Sequence, residues 1–193
     1  MDPVIVYGVP AVICIGLYFW YASIISRKNK ALEALSSIDV QLQKRFDLVP
    51  NILKLAQRFM DHEKELLTRV VELRAKVQKP YKPTDPVELA AHLEASQALE
   101  TGLGRLFALA ENYPDLKSDA TIIRAQETYE EVEGHISAAR RYYNAAVSDL
   151  NNAVEIFPGS VIAGYARVKP MPFYEIDNPE WRKPVDVDSV MRP

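Results

Sequence analysis

Cysteines, catalytic motifs and a strong net charge are all lacking in this sequence, and each absence narrows the possible functions. Cys14 is the only cysteine, which excludes a disulfide framework, a cysteine-based zinc site and a CxxC redox pair. No GxGxxG, GxxxxGKS/T, GxSxG or HExxH pattern occurs, and no Glu-x-x-His pair suggests a di-iron bundle. The net charge of -3 gives no electrostatic reason to expect a nucleic-acid partner. We therefore expect a protein that is not an enzyme, holds no cofactor and binds no nucleic acid.

Charged side chains are also missing from the first part of the chain, which indicates a membrane anchor. Residues 3–26 contain none over 24 positions, and about 20 apolar residues are enough for a helix to cross a hydrocarbon core. Asp2 precedes this run, and Arg27, Lys28 and Lys30 follow it, the reverse of a cleavable signal peptide. A basic flank favours the cytoplasmic side. We expect one uncleaved span that contacts the lipid bilayer, with the rest of the chain in the cytoplasm or, as the alternative, on the periplasmic face.

Long heptad patterns follow the anchor and predict an all-α fold. One heptad position stays apolar from residue 35 to residue 77 except at Glu63, as in a bundle helix. Prolines at 80, 83 and 86 end this helix, and Asp85 with Glu88 forms a capping box for a second helix that ends near residue 110. A third helix covers residues 119–157, and one of its heptad positions carries a seam of large residues at 122, 129, 136, 143, 150 and 157. The prediction is an N-terminal transmembrane helix followed by an antiparallel up-and-down bundle of three long helices.

Asp47, Pro50 and Asn51 interrupt the first of these helices with a turn signal. Asp47 could cap a new helix with Pro50 in its first turn, where a missing N–H is tolerated. The heptad register nevertheless continues through Pro50, as expected for one kinked helix. These three residues are therefore a predicted structural hinge, and a true break at Pro50 would give a bundle of four helices.

Several polar residues fall on the stripes predicted to be buried: Asp39, Arg45, Glu63, Arg74, Glu100, Glu133 and Arg140. A rise of about 1.5 Å per residue brings Glu63, Glu100 and Glu133 to similar heights, with His62 and His135 nearby. Such a layer could hold a metal. The alternatives are a buried ion-pair network that sets helix register, or side chains that reach water at the edge of the stripe. No catalytic residue is predicted.

The C-terminal residues differ from the bundle in composition. Six of the 13 prolines fall between residues 158 and 193, which predicts an extended or partly disordered tail. Phe173, Tyr174 and Trp181 are candidates for docking on the bundle or on a neighbour. The predicted organisation is an anchor with its basic flank in residues 1–30, a helical bundle in residues 31–164 and a Pro-rich tail in residues 165–193.

Three ordered motifs give the chain a family resemblance. They are SIDVQLQKRFDLVPNILKLAQRFMDHEKELL, LGRLFALAENYPDLKSD and ISAARRYYNAAVSDLNNAVEIFPGSVIAG. Between residues 31 and 164 the chain resembles the bacterial LemA family. The resemblance implies an N-terminal transmembrane helix and an antiparallel helical bundle in the bacterial inner membrane, and a magnetosome-associated branch implies a membrane-organising role for some members. Phe46 stands where tyrosine is common, Ser36 where tryptophan often occurs, and the tail beyond Gly164 diverges.

These observations favour a membrane-anchored scaffold or interaction protein. Self-association into a homo-oligomer is its expected form, since heptad seams are typical of coiled-coil contacts, and other membrane proteins are further candidate partners. The alternative function is an accessory subunit or metal-binding enzyme that uses the buried polar layer of the bundle.

Overall fold

The computed structural model describes residues 3–60 and 62–174. Within these ranges the chain forms only α-helices and no strand, which confirms the all-α prediction. The helices are α1 Pro3–Phe59, α2 Lys64–Val77, α3 Pro86–Ala110, α4 Pro114–Lys117, α5 Ala120–Glu155 and α6 Gly159–Ala166.

The four long helices alternate in direction around one core. α5 runs antiparallel to α1, because Arg27 contacts Asp149 near one end of the pair and Arg45 contacts Glu133 further along. α2 folds back along α1, and α3 reverses again to pack against α2. The result is an up-and-down four-helix bundle, from which the first turns of α1 project as a single helix.

The first predicted helix is in fact two helices. α1 continues through Pro50 without interruption, so the predicted continuity is confirmed and the alternative of a break at Pro50 is wrong. The kink at Pro50 stays a prediction. The chain instead reverses between Phe59 and Lys64, where Glu63 N donates a hydrogen bond to Met60 O at 3.2 Å. The bundle therefore has four long helices because the chain turns after Phe59, and not because the first helix breaks at Pro50.

The start of α3 follows the predicted capping chemistry with one difference. Asp85 Oδ1 accepts hydrogen bonds from Val87 N at 2.9 Å and Glu88 N at 3.3 Å, with Pro86 in the first turn. In a capping box the Glu88 carboxylate would return to Asp85 N. It accepts from Lys82 N at 2.8 Å instead, so the side chain also fixes the loop that precedes the helix.

The heptad position of α5 that is predicted to carry large residues is buried along most of the helix. Its buried members are Ile122, Tyr129, Ile136, Tyr143 and Leu150. Phe157 was predicted to continue this seam, but it is 77% exposed because α5 ends at Glu155. On α1 the buried face begins at Ile24, so the bundle already packs on the last turns of the predicted anchor.

The first part of the tail lies against the bundle in an extended conformation. Asn151 exchanges two hydrogen bonds with the backbone of Met171, both 2.9 Å long. Asn144 does the same with Tyr174, at 2.9 and 3.0 Å. These two amide side chains on α5 satisfy the tail backbone much as a neighbouring strand would. Tyr174 thus docks as anticipated, Phe173 is 45% exposed, and Trp181 lies outside the described residues.

Gly159, the first residue of α6, allows a close approach that no larger residue permits. A Cβ atom there would lie far inside van der Waals contact with the backbone carbonyl oxygen of Ala153, and close to the Trp20 indole. We expect Gly159→Ala to destabilise the full chain in detergent by about 1–3 kcal/mol, because the backbone of α5 or α6 must shift. Thermal unfolding, with hydrogen–deuterium exchange of α6 as a local readout, measures the effect.

Gly164 in the same helix provides the matched control. A Cβ there meets nothing within 4 Å, so Gly164→Ala should be neutral or stabilising by up to about 1 kcal/mol. Equal unfolding temperatures and equal exchange of α6 in the two variants would contradict the close-packing role of Gly159.

Candidate functional site

The centre of the bundle holds a guanidinium group that has no contact with solvent. Arg45 on α1 is fully buried. Its Nη2 donates a hydrogen bond to Glu133 Oε2 at 2.7 Å, and its Nε lies 2.6 Å from Glu133 Oε1. Its Nη1 donates to the backbone carbonyl of Ser96 at 3.1 Å. Arg45 therefore joins α1 to α5 through a bidentate ion pair and to α3 through a hydrogen bond.

A second arginine extends this network toward the tail. Arg140 Nη2 donates to Glu100 Oε2 at 3.0 Å, and the same oxygen lies 3.6 Å from Arg45 Nη2. The Arg140 guanidinium also lies 4.3 Å from the centre of the Tyr174 ring, within cation–π range. Two positive and two negative groups thus balance, and we name the four the ion-pair layer: Arg45, Glu100, Glu133 and Arg140.

Burial and neighbouring charges have opposite effects on the pKa values of Arg45 and Glu133 in the ion-pair layer. Burial alone would lower the pKa of the Arg45 guanidinium, but Glu133, Tyr174 and Glu100 together raise this pKa above its ordinary value. For Glu133, burial raises the pKa of the carboxyl, and the Arg45 charge opposes the rise. Arg45 therefore keeps its charge, and the ionised form of Glu133 depends on that charge being present.

The predicted layer of three carboxylates forms only in part. Glu100 and Glu133 meet at Arg45, as their positions on the stripes predict. Glu63 does not join them, because it lies in the turn between α1 and α2, at the end of the bundle far from the anchor. There Glu63 Oε1 accepts a hydrogen bond from the Tyr113 hydroxyl at 3.4 Å. The two carboxylates that do meet are directed at guanidinium groups, and this arrangement matches an ion-pair network that sets helix register.

The two histidines of the predicted metal site lie elsewhere. His62 is exposed in the turn between α1 and α2. His135 Nε2 lies 3.7 Å from Glu131 Oε1 on the exposed face of α5. In the part of the chain that the structure describes, no three His, Cys, Asp or Glu side chains are grouped so that they could hold a metal ion.

A protein-family model matches residues 34–188, well over half of the chain. The chain belongs to the LemA family. No curated protein matches it. The family match includes the ion-pair layer and the turn between α1 and α2, and it continues to residue 188. The match extends beyond Gly164, where the resemblance seen in the motifs ends, and it includes the tail segment that packs on α5.

The apolar part of α1 lies mostly before the LemA match. Among the described residues, Tyr7–Phe59 contains the one stretch long and apolar enough to cross a membrane. LemA-family membership and this helix together support membrane association. The flank is integrated into the fold: Arg27 Nη1 donates to the Asp149 carbonyl at 3.2 Å, Lys28 is half-buried, and Lys30 is exposed.

The residues of the predicted hinge lie within the LemA match, on the second half of α1. Pro50 is half-buried and Asn51 is exposed. Asp47 Oδ1 accepts a hydrogen bond from Gln43 Nε2 at 3.0 Å, so its carboxylate pairs one turn back along the helix. It does not cap a new helix.

This LemA-family bundle has a second polar cluster that the helical patterns of the sequence do not predict. The Tyr81 hydroxyl donates to Asp39 Oδ2 at 2.8 Å, and the Tyr81 ring stacks on the imidazole of His92 with centres 4.0 Å apart. Burial, with the nearby Asp39 carboxylate, raises the pKa of the Tyr81 hydroxyl. Asp39 was recognised as a buried-stripe residue, but Tyr81 is in a proline-rich loop whose position no helical pattern predicts. The cluster attaches this loop to α1 and α3.

Proposed function

We propose that this LemA-family protein is a membrane-anchored scaffold or interaction protein that self-associates. Residues 3–26 hold it in the bacterial inner membrane, in contact with lipid. The bundle faces the cytoplasm, an orientation supported by the basic residues Arg27, Lys28 and Lys30 directly after the span.

The observation that carries this proposal is the ion-pair layer, in which each charged group faces a group of opposite charge. The buried guanidinium of Arg45 is engaged by two glutamates and a backbone carbonyl, and Glu100 is shared with Arg140. Polar groups used in this way fix the register of three helices and are not free for a substrate. The interior then serves the fold, and the outer surface is left to carry function.

An aromatic surface at the junction of anchor and bundle supports a second copy of the chain as a partner. A shallow groove there is lined by Tyr18, Tyr21 and Ile25 of α1 and by Tyr142 of α5. Tyr142 is 48% exposed and Tyr18 is 67% exposed. Aromatic residues are enriched at protein interfaces, and this groove is continuous with the anchor, so a neighbouring chain in the same membrane can reach it. We expect two copies to pack through this surface.

Cysteine crosslinking in native membranes tests the proposal, because Cys14 is the only natural thiol. In a Cys14→Ser background, Tyr142→Cys should give a disulfide-linked dimer on mild oxidation. Lys54→Cys, at an exposed site on the distal half of α1, is the matched control and should give little or none. The unmodified chain should have the mass of at least two copies when measured by light scattering in detergent.

A monomeric mass in detergent, together with no crosslinked species from either cysteine, would count against self-association.

The Lys54→Cys variant also reports the orientation of the bundle. A membrane-impermeant maleimide should label this cysteine only after the cells are permeabilised, and labelling in cells with an intact inner membrane but an opened outer membrane would instead support the periplasmic face.

A further inference from the structure

A cavity of about 320 Å³ opens where three separate segments meet beside the basic flank of the anchor. Lys28 and Leu32 of α1 form one wall, and residues 82–86, between α2 and the start of α3, form another. The third wall is the tail directly after α6, with Arg167, Lys169 and Met171. We name this cavity the flank pocket. It shares no lining residue with the ion-pair layer or with the aromatic groove proposed for self-association.

The flank pocket concentrates positive charge in a protein whose net charge is -3. Four of its lining residues are basic: Lys28, Lys82, Arg167 and Lys169. Asp85 is the one acidic lining residue, and its Oδ1 already accepts the two N–H groups at the start of α3. Within the described ranges, none of the four basic side chains forms an ion pair. Four basic residues against one acidic residue leave the cavity with an excess of positive charge, which favours an anionic ligand.

The position of the flank pocket along α1 indicates where that ligand comes from. Lys28 follows the last uncharged residue of the span, Ser26, by two positions, and Leu32 follows it by six. At about 1.5 Å per residue these positions lie about 3 and 9 Å beyond the apolar run. The headgroup region of one leaflet is about 5–8 Å thick. The flank pocket is therefore at the depth of lipid phosphates.

Apolar side chains after the end of α5 lie beside the span itself, nearer to the N-terminus of α1 than the flank pocket does. Ile156 lies in a groove with Gly16 and Trp20 of the span, and it is 63% exposed. Phe157 beside it is 77% exposed. Apolar side chains exposed at the level of the span are favourable in a bilayer and costly in water. Ile156 and Phe157 are therefore placed to contact lipid beside the span, which keeps the flank pocket within reach of the headgroups.

We propose that the flank pocket binds the phosphate headgroup of an anionic phospholipid. The four basic side chains contact the phosphate, and Leu32, Val168 and Met171, which also line the cavity, contact the glycerol and the upper acyl chain. A lipid bound there connects the anchor, the loop before α3 and the tail. Phosphatidylglycerol is the probe, because its headgroup carries one negative charge and no positive charge.

The test reconstitutes the full chain in nanodiscs that contain phosphatidylglycerol and phosphatidylcholine, and measures the lipids retained on the protein by native mass spectrometry. The test variant combines Lys28→Gln, Lys82→Gln, Arg167→Gln and Lys169→Gln. The control variant, with the same charge change, combines Lys44→Gln, Lys54→Gln, Lys117→Gln and Arg124→Gln, all at exposed sites. One basic residue near an anionic surface contributes about fivefold in affinity, so the test variant should lose the preference for phosphatidylglycerol by at least about tenfold.

The control variant should keep this preference, and circular dichroism should show that both variants fold. Equal retention of phosphatidylglycerol by the test variant and the unmodified chain would overturn the proposal, and so would an equal loss in the two variants. Displacement of the lipid by millimolar glycerol 3-phosphate would identify a site for soluble phosphates and would also overturn it. A further result would also overturn the proposal: retention of phosphatidylglycerol by a chain without residues 175–193 but not by the unmodified chain. The acidic residues of the tail would then be the occupant of the flank pocket. Self-association is measured separately by crosslinking and can fail without affecting this result.

Discussion

Replacing Arg45 by methionine should lower the free energy of unfolding by about 3–5 kcal/mol, because the buried carboxylate of Glu133 then has no counter-charge. For a chain of this length the melting temperature should fall by about 10 °C. Circular dichroism of the full chain in detergent measures this change. The effect is expected to be large because Arg45 also donates to the backbone of α3, so three helices lose a shared contact.

The loss caused by Arg45→Met should depend on pH. Burial already raises the pKa of Glu133 above its ordinary value of 4.5, and the Arg45 charge opposes this rise, so the substitution raises the pKa further. A carboxyl with a raised folded-state pKa binds its proton more tightly in the folded chain than in the unfolded chain. The free energy of unfolding therefore falls as the pH rises through that pKa. The variant should be closer to the unmodified chain at about pH 5 than at about pH 8.

Two further variants separate the ion pair from a general effect of losing an arginine. Arg141→Met removes an exposed arginine that donates a hydrogen bond to Ser137 on its own helix, and should change stability by less than about 0.5 kcal/mol. Arg45→Met combined with Glu133→Leu should recover most of the loss, because an apolar pair replaces a buried ion pair without an orphaned charge. If Arg45→Met costs no more than Arg141→Met, the ion-pair layer is not structural, and the case for chemistry in the bundle interior becomes stronger.

The fold class could be predicted from the sequence, but the first turn of the bundle could not. Ala56, Glu63 and Val70 keep one heptad register across the turn, because both arms of a helical hairpin direct an apolar face at the same core. Register therefore persists even though the helix does not. The turn also contains no proline or glycine, while Pro50, the visible signal, lies inside α1. Tertiary packing of α2 on α3 overrides the local preference here.

The same error explains which part of the candidate site was predicted. The buried stripes correctly identified Arg45, Glu100 and Glu133, because polar residues at core positions need partners. Along one continuous first helix, a rise of about 1.5 Å per residue places Glu63 beside Glu133. The reversal after Phe59 puts Glu63 at the distal turn instead. The flank pocket was beyond sequence reasoning, since it joins segments that are far apart in the chain.

Replacing Tyr174 by alanine should cost about 3–5 kcal/mol, as expected when a large buried aromatic ring is removed. Its side chain is 1% exposed, and its backbone is held by two hydrogen bonds to Asn144. Without the ring, the Arg140 guanidinium loses its cation–π partner. Thermal unfolding of the full chain in detergent gives the magnitude, and hydrogen–deuterium exchange of residues 168–174 should rise because the tail segment leaves α5.

Tyr174→Phe is the matched control, because the ring is retained and only the hydroxyl is removed. Among the described residues that hydroxyl is buried with no hydrogen-bond partner, so its loss should change stability by less than about 1 kcal/mol. A large effect of alanine with a small effect of phenylalanine means that ring burial attaches the tail to the bundle. The folded unit then extends to Tyr174, beyond the predicted boundary at residue 164, in agreement with the reach of the LemA match. Equal, small effects of both substitutions would mean that the tail contributes nothing to the stability of the bundle.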